Sequence, residues 1–352
     1  MFCAISGFLL ISGGLLDLRF CRVNLTYFCA PMNLQPAIYF APFQGITTKA
    51  FRAVYARYFA GVDKLFTPYF ANIAVDYPLP ALKMKALQHQ SENGIPVIPQ
   101  ILSKSAPEIL SFARSCAALG FGELNWNLGC PYPQVARKKR GSGMLPFPEM
   151  VDEILDQVMP HMPLSFSVKC RLGYTKASEI MDLLPVFNRY PVSELTIHAR
   201  TGKQLYSGKT DPDAFGAALE GFQVPVVYNG DIFTTEDFRN ISGLFPGISR
   251  FMIGRGILQD PFLPARIKGL PQPGDGRAVL RGFLDDLYFE TRREKKDSPS
   301  ALNAMKEYWT YLMFAFEEPV VVFRRLKKAG SFDDYEDATN EVFAHDSLKI
   351  QD

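Results

Sequence analysis

Cys130 stands in the tripeptide Gly129-Cys130-Pro131, with Pro133 two residues further on, so its loop is conformationally restricted. A free cysteine is most often a small buried apolar residue. In a fixed loop beside an electron-carrying cofactor, a thiol can instead act as a general acid that gives a proton to carbon. Two further groups have useful chemistry: Lys169, in Val168-Lys169-Cys170-Arg171, and His198, in Thr196-Ile197-His198-Ala199-Arg200. Alone, a lysine at a strand end can be a rim charge, and a single histidine is usually a hydrogen-bonded structural residue. Their chemistry therefore depends on whether the fold brings them together. Cys170 is the competing thiol. Strand alternation sends it away from any site that Lys169 faces, so a structural role is expected.

Two glycine-rich turns, Asn229-Gly230-Asp231 and Gly254-Arg255-Gly256, could bring backbone N–H groups close to a phosphate, and Arg255 could add a bidentate contact. Either is an ordinary turn by itself; together they point to a phosphate-bearing ligand. With Lys169 and His198 added, the expectation becomes an anionic aromatic cofactor. A flavin fits, because a cation near its N1/O2 edge stabilises the reduced anion. Ser207-Gly208-Lys209-Thr210 ends like a P-loop, but Lys203 stands where the first glycine is required. It is not a nucleoside-triphosphate site.

These residues need a scaffold that gathers strand ends. From residue 38 to about 255, short apolar runs alternate with helical patterns. The runs are Ile38–Ala41, Lys64–Phe66, Pro96–Gln100, Glu123–Asn127, Ser165–Lys169, Glu194–His198, Val224–Tyr228 and Arg250–Ile253. Helical patterns such as Pro107–Leu119 and Phe147–Met159 lie between them. A doubly wound open sheet shares this alternation. Eight runs, with polar residues at nearly every C-terminal end, favour a (β/α)8 TIM barrel, whose chemistry lies at that end. The segment Gly269–Gly276 (GLPQPGDG) reads as a linker. Arg277–Lys328 is helical and mixed in charge, and a final acidic helix is expected after Ser331.

The net charge of +2 does not by itself argue for nucleic acid. Six cysteines form no C-x-x-C pair, and the four histidines show no metal-ligand spacing, so a reducing compartment and no metal are expected. Residues 1–31 are apolar at first and interrupted by glycine, without a basic leader. An over-long translation start, with Met32 as the initiator, is the preferred reading; a weak signal or anchor segment is its rival.

At Asn127-Leu128-Gly129-Cys130-Pro131 the sequence resembles the tRNA-dihydrouridine synthases. The resemblance extends through Ala41-Pro42-Phe43-Gln44-Gly45, Val168–Gly173, Thr196–Thr201, Tyr228–Ile232 and Met252–Gly256, in the family's order, over about residues 38–345. It implies FMN in the barrel, NADPH as reductant, hydride delivery to C6 of a uracil, and protonation of C5 by Cys130. It implies flavin contacts from Pro42, Phe43, Gln44, Gln100, Lys169, His198, Asn229, Gly230, Asp231, Gly254 and Arg255. It also implies that Asn127, Arg171 and Tyr206 face a flipped uracil. Phe43 stands where methionine is common, and Asp231 where glutamate or glycine is frequent. The implied organisation is an N-terminal extension (1–35), an FMN-binding barrel (36–268) and a helical tRNA-binding domain (277–345).

A stacked base must leave its helix to meet a flavin. Arg137, Lys138 and Lys139, just past Cys130, are the expected phosphate contacts, and Arg140-Gly141-Ser142-Gly143 reads as a mobile flap. Basic residues of the tail, from Arg292 to Lys328, are weaker candidates because acidic neighbours dilute them. A cytoplasmic monomer, without membrane attachment, is expected. Two rivals remain open on sequence: a flavin barrel acting on a free pyrimidine, like a dihydroorotate dehydrogenase, and a catalytically silent RNA-binding protein.

Overall fold

The computed structural model describes residues 35–75 and 77–349. The readings of residues 1–31, including Cys3, Cys21 and Cys29, lie outside the described residues. Nine strands are present: β1 (Ala37–Phe40), β2 (Lys64–Phe70), β3 (Ser91–Glu92), β4 (Ile95–Ile101), β5 (Glu123–Leu128), β6 (Ser165–Gly173), β7 (Leu195–Thr201), β8 (Val226–Asn229) and β9 (Arg250–Ile253). Eight of them pair in parallel around a ring: β1 with β2 and β9, β2 with β4, and then each strand with the next through β9. The ring closes, so the structure is the (β/α)8 barrel expected from the eight apolar runs.

The ninth strand is an addition. β3 pairs antiparallel with β4 through Asn93-Gly94, both with positive φ (48° and 81°). This Asn-Gly turn suits a tight hairpin and leads the chain directly into β4.

Alternation along the strands sorts the side chains. Outward-facing Leu65, Val97, Leu124, Trp126, Val168, Cys170, Ile197 and Tyr228 join the main core beneath the helices. Inward-facing Tyr39, Phe66, Ile98, Val227 and Met252 form a smaller cluster inside the barrel. Beside it runs a buried polar chain. Asn127 Nδ2 donates to Gln100 Oε1 (2.7 Å), Gln100 Nε2 to Asn125 Oδ1 (2.8 Å) and Asn125 Nδ2 to Ser167 Oγ (2.9 Å). Ser167 Oγ donates to Glu123, and Lys64 bridges Glu123 and Glu194 at 2.8 and 2.9 Å. Each amide in the chain both donates and accepts, so burial leaves it paired, and its side-chain orientation is fixed.

After residues 269–275 four helices follow: Gly276–Glu294, Pro299–Leu312, Pro319–Lys328 and Phe332–His345. The last is opened by a capping box between Ser331 and Asp334. The first two pack directly on the barrel's first helix, Lys49–Tyr58. Phe283 meets Phe51 and Phe59 edge-on, with ring centroids 6.0 and 4.9 Å apart, and Tyr308 meets Phe51 at 5.4 Å. The described residues from Gln35 onward accordingly form one compact unit.

Candidate active site

The C-terminal strand ends open into two adjoining cavities that share Pro42, Phe43, Lys169, His198 and Tyr206. One is lined further by Gln44, Gln100, Asn127, Cys130, Tyr132 and Arg171, the other by Asn229, Gly230, Asp231, Gly254 and Arg255. Every expected flavin and uracil contact lines one of the two cavities, whereas the expected phosphate contacts Arg137, Lys138 and Lys139 do not.

The position of Cys130 follows from its neighbours. Asn127 Oδ1 accepts from the backbone N–H groups of Gly129 (3.0 Å) and Cys130 (2.8 Å), folding the chain back at the end of β5. On the other side, the Ser142 N–H and hydroxyl donate to the Cys130 carbonyl at 3.0 and 3.1 Å. Gly141 has φ +55°, and a Cβ there would lie 2.6 Å from the Cys130 carbonyl oxygen. Only glycine fits that approach. The segment Gly141–Met144 is a buried 3-10 turn. This corrects the expectation of a mobile flap: the small residues serve close packing beneath Cys130. Cys130 is 6% exposed and faces the cavity. Burial pushes its thiol up, against the Tyr132 N–H, the Tyr69 phenol and the nearby Arg171, which draw it down.

Lys169 Nζ donates to Asn229 Oδ1 at 2.8 Å, and Asn229 Nδ2 donates to the Met252 carbonyl at 2.7 Å. Among the described residues Lys169 makes no ion pair. Desolvation, with Arg171 nearby, lowers its pKa to about 7. Burial and four neighbouring cations hold His198 well below the usual imidazole range, so it is neutral at pH 7. Arg200 Nη1 lies 3.3 Å from His198 Nε2. Arginine can only donate, so Nε2 accepts and the ring proton is on Nδ1. Cys170 is fully buried on the outer face, as alternation requires.

Asp231 bridges Arg200 (2.9 Å) and Arg255 (2.6 Å). A phosphate at the two glycine turns would therefore meet Arg255 already held by a carboxylate. Arg171 is also committed: its guanidinium donates to the carbonyls of Gly129 (3.0 Å), Thr201 and Leu205 (both 2.8 Å). It ties the Cys130 loop to the loop after β7 while lining the cavity. That second loop carries Tyr206, whose ring lies 4.9 Å from the Arg255 guanidinium and 5.6 Å from that of Arg171.

The lining also includes residues the sequence reading passed over. Tyr69 comes from β2, Tyr132 follows Cys130, and Glu307 and Tyr311 come from the helix Pro299–Leu312. The Tyr311 ring meets Phe43 edge-on at 5.9 Å. No pattern around 307–311 signals a place at the barrel mouth, because only the docking of that helix puts it there.

The arrangement suits a flavin. A lysine depressed by desolvation and without a carboxylate partner gains its charge when an anion arrives. Glycines at 230 and 254 keep the turns free of side chains: a Cβ would lie 2.6 Å from the Tyr228 ring at Gly230 and 2.8 Å from the Phe43 ring at Gly254.

Residues 39–313 match the family model described as "Dihydrouridine synthase (Dus)". This chain belongs to the dihydrouridine synthase family. Curated relatives agree. "tRNA-dihydrouridine synthase B" of Pasteurella multocida is 29% identical over 66% of this chain and 68% of its own length. The "tRNA-dihydrouridine(16) synthase" of Neisseria meningitidis is 24% identical over 88% of this chain and 95% of its own. Among solved structures, a histamine dehydrogenase from Rhizobium sp. 4-9 superposes with a TM-score of 0.51 at 11% identity. That match covers 72% of this chain and half of the dehydrogenase, and it speaks for the barrel fold alone. Membership of the dihydrouridine synthase family carries that family's chemistry, the flavin-dependent reduction of uridine to dihydrouridine.

Proposed function

We propose that this chain is a tRNA-dihydrouridine synthase that uses NADPH and FMN, with Cys130 as the acid. The observation that carries the reading is a pair of adjoining cavities that share a desolvated lysine and a neutral histidine, with a thiol backed by a fixed turn in one and two glycine turns in the other. FMN held here and reduced by NADPH would supply the hydride that reaches C6 of the uracil. Cys130 gives its proton to C5, leaving a thiolate that the Tyr132 N–H and Arg171 stabilise. Lys169 and His198 would hold the ring of the flavin, and Arg255, Gly230 and Gly254 its phosphate. Asn127 keeps one N–H for the uracil after donating to Gln100, and Tyr206 offers a ring for stacking.

A flavin mouth that takes an extruded nucleotide needs phosphate contacts around it. Arg137, Lys138 and Lys139 are exposed on the turn that follows the short helix Pro133–Ala136, within ten residues of Cys130. We assign them to the tRNA backbone outside the pocket, with the four C-terminal helices as a further docking face. A cytoplasmic monomer that reads tRNA shape completes the proposal. No helix among the described residues is long and apolar enough to cross a membrane, and no His/Cys/Asp/Glu group there could hold a metal.

The purified yellow protein should be bleached anaerobically by NADPH and reoxidised by tRNA lacking dihydrouridine. Reoxidation by uracil or orotate with none by tRNA would favour an enzyme of free pyrimidines. A colourless protein that binds RNA would favour the silent binder.

A further inference from the structure

β2 enters the barrel with Lys64 and Phe66 facing inward, so strict alternation would turn residue 69 outward, towards the helices. It does not stay in register. Phe66 pairs with Ile98 of β4 but Tyr69 pairs with Gln100, so three steps along β2 match two along β4. Pro68 sits in the irregular stretch, where a missing N–H is tolerated, and Thr67 Oγ accepts the Gln100 N–H at 3.0 Å across the gap. The extra residue rotates the strand end, and the half-buried Tyr69 joins the lining of the cavity that Cys130 faces. There its phenol lies close enough to the Cys130 thiol to draw the thiol pKa down.

Resting on the function proposed above, we propose that Tyr69 is a positioning residue for the acid: its O–H donates to the Cys130 sulfur and stabilises the charge left there on proton transfer. As the C5–H bond forms, the S–H bond breaks and its electron pair stays on sulfur. The hydride that completes the C6–H bond would come from the reduced flavin of the proposed function, and after product release the sulfur takes a proton back from water. Burial raises the energy of a bare thiolate, so each donor aimed at it lowers the barrier. Tyr69 completes a set with the Tyr132 N–H and the Arg171 guanidinium. Its own pKa is pushed up to about 12, by burial first and by Cys130 second, so it keeps its proton at neutral pH. It acts as a donor, and the proton that reaches carbon is the thiol's.

The test compares the FMN-loaded parent with Tyr69→Phe, which removes only the hydroxyl, and Tyr69→Met, which fills the space without an aromatic ring. Iodoacetamide alkylation of Cys130 is followed by mass spectrometry across the thiol's titration range. Removing a donor to the thiolate raises the thiol pKa, so both profiles should move to higher pH. Below the midpoint alkylation should slow by about tenfold, the scale of one hydrogen bond to a charged group. Turnover on saturating tRNA should fall by a similar factor, with KM and flavin content unchanged. An unmoved alkylation profile in either variant overturns the proposal, as does loss of flavin from both, which would make Tyr69 a packing residue. Because alkylation needs no tRNA, a moved profile beside a parent that makes no dihydrouridine would support the contact and reject the function on which it rests.

Discussion

Cys130, Lys169 and His198 come from β-strand ends far apart in sequence, and each is unremarkable by type. Their chemistry arises where environments push them in different directions. Burial raises the Cys130 thiol, whereas desolvation lowers Lys169 to about 7 and holds His198 neutral. Cys130→Ala should retain flavin and its reduction by NADPH while dihydrouridine formation falls by a factor on the order of 100 or more. Single-turnover product analysis checks this, and undiminished product would remove Cys130 from its role. Lys169 gives a pH signature. Its pKa in the apoprotein is about 7 and rises when the anionic reduced flavin ring binds beside it, so above pH 7 binding of reduced flavin takes up a proton. Affinity for reduced FMN should therefore weaken as pH rises above about 7, by up to about tenfold per unit. Lys169→Met should bind reduced FMN more weakly at pH 6 and show a flat profile in anaerobic titrations. A parallel pH dependence in parent and variant would assign the titration elsewhere.

The strands were legible where periodicity speaks: all eight apolar runs became barrel strands, and Arg250–Ile253 matches β9 end to end. What was lost lay at irregularities. Pro68 looks like a terminator after Lys64–Phe66, yet β2 continues through it, so Tyr69 stayed hidden. The Asn93-Gly94 hairpin did carry a local signal, but its partner strand is only two residues long. Gly141 was visible as a glycine; its closeness to Cys130 is a tertiary fact that flexible composition alone misread. Gly141→Ala combines left-handed backbone, costing roughly 1 to 3 kcal/mol, with a clash against the Cys130 carbonyl. A lower melting temperature is expected, together with a loss of turnover on the order of 100-fold as the thiol shifts, and little loss of flavin. Parent-like turnover would show that the turn can adjust without moving Cys130. At the neighbouring basic turn, neutralising Arg137, Lys138 and Lys139 together should weaken tRNA binding. It should also reduce the log–log salt slope by about two to three if all three meet phosphates. Filter binding at several salt concentrations measures it, and an unchanged slope would leave the run as solvated surface.

At the scale of the whole molecule, the helices after residue 275 complete the barrel mouth as well as extend the surface. The contact of Phe283 with Phe51 and Phe59 seats them, and Glu307 and Tyr311 then reach the cavity. Phe283→Ala should cost about 3 to 5 kcal/mol in denaturant unfolding, because it empties a fully buried site between the helices and the barrel. On the proposed docking, the target uridine would depend on how a rigid tRNA rests against the basic turn and the helices together, and so would not be written in any motif. The central claim, that this mouth reduces a uridine within tRNA, is tested most directly by nucleoside mass spectrometry. The tRNA would come from a strain lacking the gene, before and after incubation with the purified protein and NADPH. The account predicts dihydrouridine missing from a defined tRNA position and restored there by the protein, with Cys130→Ala failing to restore it. Unchanged dihydrouridine in the deletion strain, with none formed on incubation, would contradict it.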